Sequence, residues 1–586
     1  MIECSRPIAA TCVFDVEFHQ PAGERPVPLC LAWQDVATGE AQARWVYGEG
    51  PRAPPFLLRD DTLVATFAGS GDLACLTQLG WPQPAYHLDL HAEFRCLTNG
   101  LLTAKNSGLV HALRHFGLDA PDPVQKQRLQ QLAVRGGPYS AAERDALVEY
   151  CRADVAFETA LFRAMLPLID GPRALFRGRY VKAVSGIELA GIPVDSRAAE
   201  LLFRHWEAMR LRLAEQAGGG SGVFEGRSFR MHRFEALLVR LGVQWPRTAT
   251  GKPKTDRETF EEMADLHPEL REVCELRRVL GQVKVPALGI GRDGRHRFQV
   301  KPFLTTTSRN APSATGFIFG LPRWVRALIR PHKGRALALI DWSRQEFGTA
   351  AALSRDPAMW QAYLAPDIYL EFGKLAGAIP QWATVDSHPE ERAQFKQCVL
   401  AAQFGGGSEL VARRLQVPLG TARQLLATHH RVFARYWAWV EEVTNAALLR
   451  GELRTIFGWK LQVAAGRRTN SIANFPVQAA GAEMLRVAVC LLAERGIQVD
   501  ALVHDAVLVE ADVGDIEETV AAAQGAMAEA SELVLRGYRL RTDVKITRHP
   551  DVFAGASHPM WPRVWKIVNE LSGEPTAGPK TTEEER

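Results

Sequence analysis

Two short apolar runs that each lead to an aspartate constrain the fold of this chain more than any other feature. Asp341 follows the run LALI, and Asp505 lies between the runs DALV and AVLV, which we predict to be the two strands of a hairpin. The segment between the aspartates includes a helical pattern that carries Arg392 and Lys396 on one face. Two carboxylates beside a pair of cations can bind two Mg²⁺ ions, which would bridge the attacking and leaving oxygens of a phosphoryl displacement. The pattern therefore predicts nucleotidyl transfer.

The length and composition of the chain indicate a multidomain globular enzyme. With 586 residues the chain is too long for one hydrophobic core, so about three to five compact domains are expected. It is 47% hydrophobic and 23% charged, and no apolar run approaches the ~18–20 residues needed to cross a bilayer. The first residues lack the basic region and apolar core of a signal peptide. We expect a cytoplasmic protein, in a bacterial cell or a phage-infected host, that does not bind membranes.

The cysteines and the net charge give no sign of a zinc site or of a strongly basic nucleic-acid binder. The nine cysteines are scattered without a CxxC pair, so neither a zinc site nor a disulfide framework is indicated. A net charge of +4 is too small to predict nucleic-acid binding, which must then depend on local clusters. One such cluster fits a phosphate-binding surface and a solvated helix face equally well. Its members are Arg277, Arg278, Lys284, Arg292, Arg295, Arg297 and Lys301.

The N-terminal region has a carboxylate pattern of its own. Residues 11–18 and 28–33 are predicted to be paired strands within an α/β domain. Asp15 and Glu17 are two residues apart on the first strand, so both side chains point to one face. Further along, Ser140 and Glu143 have the spacing of a capping box at the start of a long helix. That helix carries Tyr150 and Asp154, which are four residues apart and share a face.

The segment DWSRQE, from Asp341 to Glu346, resembles the first palm motif, D-Y-S-x-x-E, of the family A (polymerase I-like) DNA polymerases. The resemblance covers roughly residues 10–555 and is to the short form found in phages and prophages. It implies that Asp341 binds both catalytic metals and that the Trp342 carbonyl binds one of them. It also implies that Glu346 crowds the sugar 2′ position and excludes ribonucleotides, unlike the related single-subunit RNA polymerases.

A second match lies in the helical segment, where the finger motif R-x3-K-x7-Y-G stands as Arg392, Lys396 and Phe404 followed by glycine. Both cations are present, whereas the tyrosine has lost its hydroxyl. A lysine and an arginine one turn apart suit a triphosphate, because they stabilise charge that builds on the leaving pyrophosphate. Lys396 is also placed to be the general acid for that leaving group. Leu400 stands where many relatives have an aromatic residue, which bears on selectivity at the sugar 3′ position.

The third palm motif, H-D-E in the family, stands here as His504-Asp505-Ala506. We expect His504 to contribute to the nucleotide site and Asp505 to bind metal. The glutamate that usually follows is absent. Because Asp341 and Asp505 can hold the ions without an auxiliary carboxylate, we interpret Ala506 as a variant of the site and not as its loss.

Three further segments are similar to those with which the family binds primer and template DNA. Thr455 begins a turn that resembles T-x-x-G, and Asn474 and Gln478 occupy the N-x-P-x-Q segment that contacts the minor groove. Arg309, in the stretch TSRNAP, matches the primer-strand segment and is the expected phosphate contact. We expect these four residues to bind DNA.

The N-terminal carboxylates resemble the D-x-E and Y-x3-D motifs of the DEDDy 3′–5′ exonucleases. In such sites the carboxylates hold two metals and the tyrosine orients the attacking water. The middle motif, N-x3-D, is kept only in part, because Ala68 replaces the asparagine ahead of Asp72. Asp89 and Glu93 are alternative carboxylates for that position. The resemblance implies a proofreading site that takes the 3′ end of single-stranded DNA, and no separate 5′-nuclease domain is expected.

Together these motifs predict an α/β multidomain protein, with an RNase H-like exonuclease domain followed by a right-hand polymerase of palm, fingers and thumb. The polar tail from about residue 570 is expected to be disordered. The predicted divisions are 1–175 for the exonuclease-like domain, 176–300 for a linker helix and the thumb, 301–345 for the first part of the palm, 346–440 for the fingers, 441–556 for the second part of the palm and 557–586 for the tail.

The expected ligands are two Mg²⁺ ions per site, replaceable by Mn²⁺, together with dNTPs and primer–template DNA. The sequence does not identify a processivity or replisome partner. Two other functions stay open. One is an exonuclease whose degenerate polymerase half only holds DNA, which Ala506 and Phe404 favour. The other is a nonenzymatic replication scaffold, which would need neither carboxylate set.

Overall fold

The computed structural model divides the chain into two compact units. Unit 1 comprises Met1–Gly191, Gln299–Ala311 and Ala338–Lys545, and unit 2 comprises Ile192–Phe298, Pro312–Leu337 and Ile546–Arg586. The structure describes residues 8–48, 53–54, 61–218, 222–248, 250–281, 285–313, 316–403, 405–464, 466–553 and 557–573. Most of the tail for which we predicted disorder, residues 574–586, lies outside the described residues.

The N-terminal part of unit 1 is a sheet with helices packed on it. The strands are β1 (Ala10–His19), β2 (Val27–Asp35), β3 (Ala41–Trp45), β4 (Thr62–Thr66) and β5 (Tyr86–Asp89). The helices are α1 (Ser70–Gln78), α2 (Leu90–Thr98), α3 (Leu109–His115), α4 (Pro123–Arg135), α5 (Ala141–Met165) and α6 (Gly171–Ala190). The strand order is β3-β2-β1-β4-β5, with β1 antiparallel to β2 and parallel to β4. The predicted pairing of the first two strands is confirmed.

Local sequence explains how β1 and α5 are placed. Along β1, Val16 is 4% exposed, whereas its neighbours Asp15 and Glu17 are only partly buried, as alternation requires. α5 begins with the predicted capping box: the Ser140 side chain accepts from the Glu143 backbone N–H, and the Glu143 carboxylate accepts from the Ser140 N–H. α5 packs on β1 and β2, so its inner face lies against the carboxylates of β1.

Unit 2 begins with mostly helical structure. Its strands are β6 (Ile192–Pro193), β7 (Phe224–Glu225), β8 (Ser228–Phe229) and β9 (Arg295–His296), and its helices are α7 (Ser196–Arg204), α8 (Trp206–Gly218), α9 (Met231–Leu241), α10 (Arg257–Leu266) and α11 (Arg271–Gly281). Four aromatic side chains, those of Phe229, Phe234, Trp245 and Phe260, pack against one another between these elements. Such a cluster gives this short-stranded unit a hydrophobic core of its own.

The remaining elements belong mainly to unit 1. The strands are β10 (Arg335–Trp342), β11 (Glu452–Arg454), β12 (Lys460–Gln462), β13 (Val499–Val503), β14 (Ala506–Asp512) and β15 (Thr542–Arg548). The helices are α12 (Gln345–Ser354), α13 (Pro357–Leu364), α14 (Ile368–Leu375), α15 (Pro389–Gln403), α16 (Ser408–Leu415), α17 (Leu419–Val432), α18 (Ala434–Arg450), α19 (Thr469–Glu494), α20 (Ile516–Val534) and, in unit 2, α21 (Met560–Ser572). Short 3₁₀ turns occur at Ala104–Asn106, Leu166–Leu168, Pro268–Leu270, Val285–Ala287, Ile318–Gly320 and Arg323–Leu328.

A second sheet, with the order β13-β14-β10-β15, brings distant segments together. β13 and β14 form the predicted hairpin, with Val503 paired to Ala506. β10 therefore lies between β14, which follows it by more than a hundred residues, and β15, the last strand among the described residues. This arrangement sets the two predicted aspartates beside each other.

The helix α19 differs from what the sequence analysis suggested. By length and composition it is apolar enough to cross a membrane, although no such run was expected, and it is the one such helix among the described residues. However, 83% of its apolar window is buried inside the fold. Its composition thus matches that of a core helix, which is apolar on all sides because it is enclosed.

Candidate active sites

The first candidate site, which we call the palm cluster, comprises Asp341, Asp505, Arg309 and Glu346. Asp341 is the penultimate residue of β10, and Asp505 lies in the turn between β13 and β14, of which β14 neighbours β10. The pKa of Asp341 is raised to about 7, first by burial and then by the charge of Asp505 and a side-chain hydrogen bond with it. Two carboxylates this close disfavour each other's ionisation. The structure thus brings the two predicted aspartates together, while their roles stay predictions.

The chemistry of this cluster suits a divalent cation. Asp341 Oδ1 is buried and has no hydrogen-bond partner among the described residues. A buried carboxylate oxygen without a partner costs free energy unless something binds it. The pKa of Asp505 is also raised, chiefly by burial, while the nearby Arg309 lowers it. Carboxylate oxygens are the ligands that Mg²⁺ prefers, so the residues present fit the expected ion.

Two members of the palm cluster, Arg309 and Glu346, form an ion pair. Glu346 lies in the first turn of α12, and its Oε1 accepts from Arg309 Nη2 at 2.7 Å. The Arg309 backbone N–H donates to Thr305 Oγ1 at 2.8 Å, which fixes the loop that carries it. Two residues predicted for different tasks, sugar selection and primer contact, are therefore bonded to each other beside Asp505.

A third carboxylate, that of Asp543, acts on Asp341. Asp543 lies on the edge strand β15, which neighbours β10, and its charge contributes to the raised pKa of Asp341. No motif marks Asp543, because it belongs to no segment that resembles a family pattern. Only the pairing of β15 with β10 reveals where it lies.

The helix α15 presents the predicted cations. Phe395, Cys398 and Val399 are buried on its inner face, whereas Lys396 is exposed and Arg392 is partly buried. Leu400 is also partly exposed. Arg392 Nε donates to Asp367 Oδ2 at 2.6 Å, so its partner here is a carboxylate outside the palm cluster.

That arginine has an aromatic neighbour as well. The guanidinium of Arg392 lies over the Tyr369 ring at 5.6 Å from its centroid, and that of Arg344 lies at 5.2 Å from the same ring. Such contacts hold cations without neutralising them. Phe404, the remaining predicted nucleotide-binding residue on this segment, lies outside the described residues. His504 is exposed in the β13–β14 turn, with a φ of 58°.

Three of the predicted DNA-binding residues lie on α19 and in the turn between β11 and β12. Asn474 and Gln478 lie on one face of α19, both partly exposed. Thr455, by contrast, uses its hydroxyl within the fold: it donates to Glu483 Oε1 and accepts from the Trp459 backbone N–H. These bonds hold the turn between β11 and β12. Because the Thr455 hydroxyl is already used within the fold, DNA would have to contact other atoms of that turn.

The second candidate site, the N-terminal cluster, comprises Asp15, Glu17, Asp72 and Asp154. Asp15, Glu17 and Asp154 each offer a ligand oxygen within 4.8 Å of the others, which suits a metal ion. Burial is the main cause that raises the pKa of Asp15 to about 7, followed by the charge of Asp154. The pKa of Glu17 is likewise raised well above its usual value, by burial and then by Asp15.

Asp72 lies in the first turn of α1 and also faces this cluster. Its pKa is raised well above the usual value by burial and then by the charges of Asp15 and Glu17. Ala68, which stands in place of the motif asparagine, has a φ of 61°. Asparagine adopts that conformation more readily than alanine. The backbone at this position therefore has a conformation that suits asparagine better than alanine.

Two residues that were not predicted from the sequence, a lysine and a glutamate, also lie at the N-terminal cluster. Lys126 on α4 donates to Asp154 Oδ2 at 2.5 Å and lies 5.3 Å from the Tyr150 ring centroid. Glu158 is 3% exposed, its Oε2 has no partner among the described residues, and burial followed by the charge of Asp15 raises its pKa well above the usual value. Glu158 follows Asp154 by one turn, so the helical spacing was a usable signal. Lys126 had none.

The alternative carboxylates of the sequence analysis have other tasks. Asp89 caps α2 by accepting from the Ala92 backbone N–H at 2.7 Å, and it also accepts from Gly69 N–H at 2.9 Å. Glu93 forms a buried ion pair with Arg177, with two bonds of 2.5 and 2.6 Å. These contacts leave Asp72 as the remaining candidate for the middle carboxylate of the N-terminal cluster.

Several members of the basic cluster are bound within unit 2. The Arg277 guanidinium stacks on Phe260 at 4.0 Å from the ring centroid. Arg278 donates to the Leu321 carbonyl, and Arg297 forms two bonds of 2.9 and 2.5 Å with Asp293. Lys284 lies outside the described residues. These contacts favour a structural task for those three arginines over a continuous phosphate-binding surface.

Comparison with known proteins identifies the family to which this chain belongs. The sequence profile described as DNA polymerase family A matches residues 232–549, which is more than half of the chain. The chain therefore belongs to DNA polymerase family A. Members of this family use divalent metal ions, and Asp15, Glu17 and Asp154 of unit 1 form a carboxylate group that could hold one.

Curated relatives are bacterial and phage DNA polymerases. The thermostable DNA polymerase I of Thermus thermophilus is 26% identical over 392 residues, 60% of this chain and 45% of that protein. DNA polymerase I of Aquifex aeolicus is 23% identical, covering 63% of this chain and 65% of that one. The DNA polymerase of Mycobacterium phage D29 is 25% identical, covering 59% of this chain and 58% of that protein. The chain thus spans less than two thirds of the length of these relatives.

A solved structure shows the same fold. The POL domain of Pol1 from M. smegmatis, in complex with DNA primer-template and dNTP, superposes with a TM-score of 0.71 at 18% identity. The match covers 94% of this chain and 96% of that one. The predicted right-hand polymerase fold is confirmed at this level.

Proposed function

We propose that this chain is a template-directed DNA polymerase that adds dNTPs to a primer 3′-OH, with a linked 3′–5′ proofreading exonuclease. The observation that carries the polymerase proposal is the Asp341–Asp505 pair, with its unpartnered buried oxygen, in a chain of family A. In the reaction the primer 3′-OH attacks the α-phosphate of the dNTP and pyrophosphate leaves. Two Mg²⁺ ions, replaceable by Mn²⁺, would be held by Asp341, Asp505 and the Trp342 carbonyl, and would stabilise the charge that develops in this displacement.

The exposed face of α15 supports recognition of the triphosphate. Lys396 is exposed and can donate a proton to the leaving pyrophosphate. Arg392 is bonded to Asp367 in the free protein, and a triphosphate, with its higher charge, would compete for that guanidinium. Leu400, which is partly exposed on α15, and Phe404, which lies outside the described residues, would complete the nucleotide site.

The ion pair of Glu346 and Arg309 supports selection at the sugar and contact with the primer. Arg309 holds the Glu346 carboxylate at 2.7 Å and thereby keeps it in one orientation. A carboxylate fixed beside the sugar would crowd a ribose 2′-OH. Asn474 and Gln478 would contact the DNA minor groove, and Thr455 would act through the shape of its turn.

The N-terminal cluster supports the exonuclease. Asp15, Glu17, Asp72 and Asp154 would hold the metals, and Tyr150 would orient the attacking water on a single-stranded 3′ end. The pKa of Tyr150 is raised, first by burial and then by Asp154, so its hydroxyl keeps its proton and can donate a hydrogen bond. Lys126 neutralises part of the negative charge when no cation is bound.

One pair of variants tests both activities. Asp505→Ala should lower primer extension with Mg²⁺ and dNTPs by ~10³-fold or more, since a metal supplies several kcal/mol of transition-state stabilisation. The same variant should degrade single-stranded DNA at the parent rate, whereas Asp15→Ala should show the opposite pattern. Asp515→Ala, which removes an exposed carboxylate of unit 1, is the matched control.

The outcome decides between the proposal and its rival. Failure of the parent protein to extend a primer while it degrades single strands would favour an exonuclease with a degenerate polymerase half. Unchanged degradation by Asp15→Ala would contradict the exonuclease assignment.

A further inference from the structure

The turn that carries Asp505 leaves one side of the palm cluster without a carboxylate. Ala506 follows Asp505 directly, is 3% exposed and offers no ligand atom. Asp341 Oδ1 nevertheless remains buried, with no partner among the described residues. Mg²⁺ is octahedral and is usually held by only one or two protein carboxylates, so ligand positions would remain beyond those filled by Asp341 and Asp505.

The pairing of β10 with β15 places another carboxylate opposite Asp341. The Ser343 backbone N–H donates to the Arg541 carbonyl at 2.9 Å, and at the far ends of the strands the His549 N–H donates to the Arg335 carbonyl at 3.2 Å. Between these two bonds the chain runs forward from Arg335 to Ser343 on β10 and backward from His549 to Arg541 on β15. The strands are therefore antiparallel.

The same register pairs Asp341 directly with Asp543. The two bonds are separated by the same number of residues on each strand, so the register does not shift between them. Residues directly opposite in an antiparallel pair have Cα atoms about 4.5–5.5 Å apart and side chains on the same face. Two carboxylates are therefore held side by side, where repulsion destabilises the pair unless a cation intervenes.

Asp543 is also available to a ligand. It is exposed on the edge strand, and its carboxylate forms no hydrogen bond or ion pair with any residue that the structure describes. Its charge acts on Asp341 and on Tyr363. By comparison, Asp154 of the N-terminal cluster is already paired with Lys126.

We propose that Asp543 is a third metal-positioning carboxylate of the palm cluster, and that it takes the place of the glutamate that Ala506 replaces. This inference rests on the proposed polymerase function. Among the described residues, only the set of Asp15, Glu17 and Asp154 has three ligand atoms within 4.8 Å of one another. Asp543 therefore acts on the hydration shell of the ion, which Mg²⁺ largely retains in proteins. A carboxylate in this position orients the ion and raises its affinity.

The test is metal binding, measured apart from activity. In full-length protein with Asp15→Ala, which removes a ligand of the other cluster, Mn²⁺ binding is titrated by electron paramagnetic resonance. A further Asp341→Asn change identifies the palm signal by abolishing it. Asp543→Asn should raise the Mn²⁺ dissociation constant of that signal by ~10-fold or more. Asp515→Asn, an exposed carboxylate of the same unit, should leave it unchanged.

Two further readouts separate metal positioning from a structural effect. In primer extension, Asp543→Asn should require ~10-fold more Mg²⁺ for half-maximal rate, with a near-parental rate at saturating Mg²⁺. Asp543→Glu should bind Mn²⁺ more tightly than Asp543→Asn does, because it keeps the charge.

Failure of this inference is distinct from failure of the proposed function. If the parent extends primers and Asp543→Asn binds Mn²⁺ as tightly as Asp515→Asn does, the role of Asp543 is refuted and the polymerase stands. If the parent neither binds Mn²⁺ at Asp341 nor extends primers, both are refuted. Weakened binding in Asp543→Asn without extension by the parent would support the metal role and refute the polymerase.

Discussion

Buried acidic residues of unit 1 differ in what satisfies their oxygens. Asp89 accepts from two backbone N–H groups, and Glu93 forms two bonds with Arg177. In the clusters, by contrast, one oxygen each of Asp341, Asp154 and Glu158 is buried with no partner in the described part of the chain. Since an unsatisfied buried oxygen is costly and each of these three lies beside other carboxylates, a cation is expected to bind there.

His87 is a buried residue outside both clusters whose titration should limit stability at low pH. Its ring bonds Thr66 Oγ1 at 2.9 Å and the Gly178 carbonyl at 3.1 Å, and burial lowers its pKa from 6.5 to about 4. The unfolded chain binds a proton near pH 6.5 and the folded chain only near pH 4. The contribution of neutral His87 to the free energy of unfolding is therefore fully present above pH 6.5. It is lost as the pH drops toward 4, by about 3 kcal/mol in total.

Urea unfolding of the parent and of His87→Gln at pH 7.5, 6.5, 5.5 and 4.5 checks this prediction. The variant should be less stable than the parent at pH 7.5, because it loses ring contacts. Between pH 6.5 and 4.5 the gap should narrow by about 1.4 kcal/mol per pH unit at most. Parallel pH profiles for the two proteins would show that His87 does not titrate in this way.

At the scale of elements, the approach of α6 to β5 depends on one glycine. A Cβ at Gly178 would lie 1.8 Å from the His87 carbonyl oxygen, and backbone atoms cannot give way as a flexible side chain does. Gly178→Ala should destabilise unit 1 by about 1–3 kcal/mol, because the clash outweighs the gain in helix propensity. At Gly186 on the same helix an added Cβ would meet nothing within 4 Å, so Gly186→Ala should be neutral or stabilising by up to ~1 kcal/mol. Thermal unfolding of both variants tests the pair, and equal effects would contradict the argument.

Local sequence signals predicted elements well and spatial partners poorly. The capping box at Ser140, the alternation along β1 and the β13–β14 hairpin are each encoded within a few neighbouring residues, so they could be predicted. Lys126 and Asp543 could not, because their positions depend on how α4 packs beside β1 and how β15 pairs with β10. Glu158 lies between these cases: the i, i+4 spacing from Asp154 was visible, but its burial was not.

At the scale of the whole molecule, both carboxylate clusters belong to unit 1. The N-terminal sheet lies wholly in unit 1, and so do most residues of the β13–β14–β10–β15 sheet, although more than a hundred intervening residues belong to unit 2. The family resemblance correctly indicated a right-hand polymerase fold, since its motifs extend along much of the chain. Sequence patterns could not show this discontinuous division, because it depends on which distant segments pack together.

This division predicts that metal binding stabilises one unit selectively. A ligand that binds only the folded state adds RT ln(1 + [L]/Kd), or about 2.7 kcal/mol at a hundred times Kd. With saturating Mn²⁺ in place of EDTA, hydrogen exchange measured by mass spectrometry should slow by up to ~100-fold in peptides from β1 and from the β13–β14 hairpin. Peptides from α9 of unit 2 should exchange as before. Asp15→Ala should remove the effect at β1 and keep it at the hairpin, because the clusters lie on different sheets. Equal slowing in both units would mean that Mn²⁺ acts on the protein other than through these carboxylates.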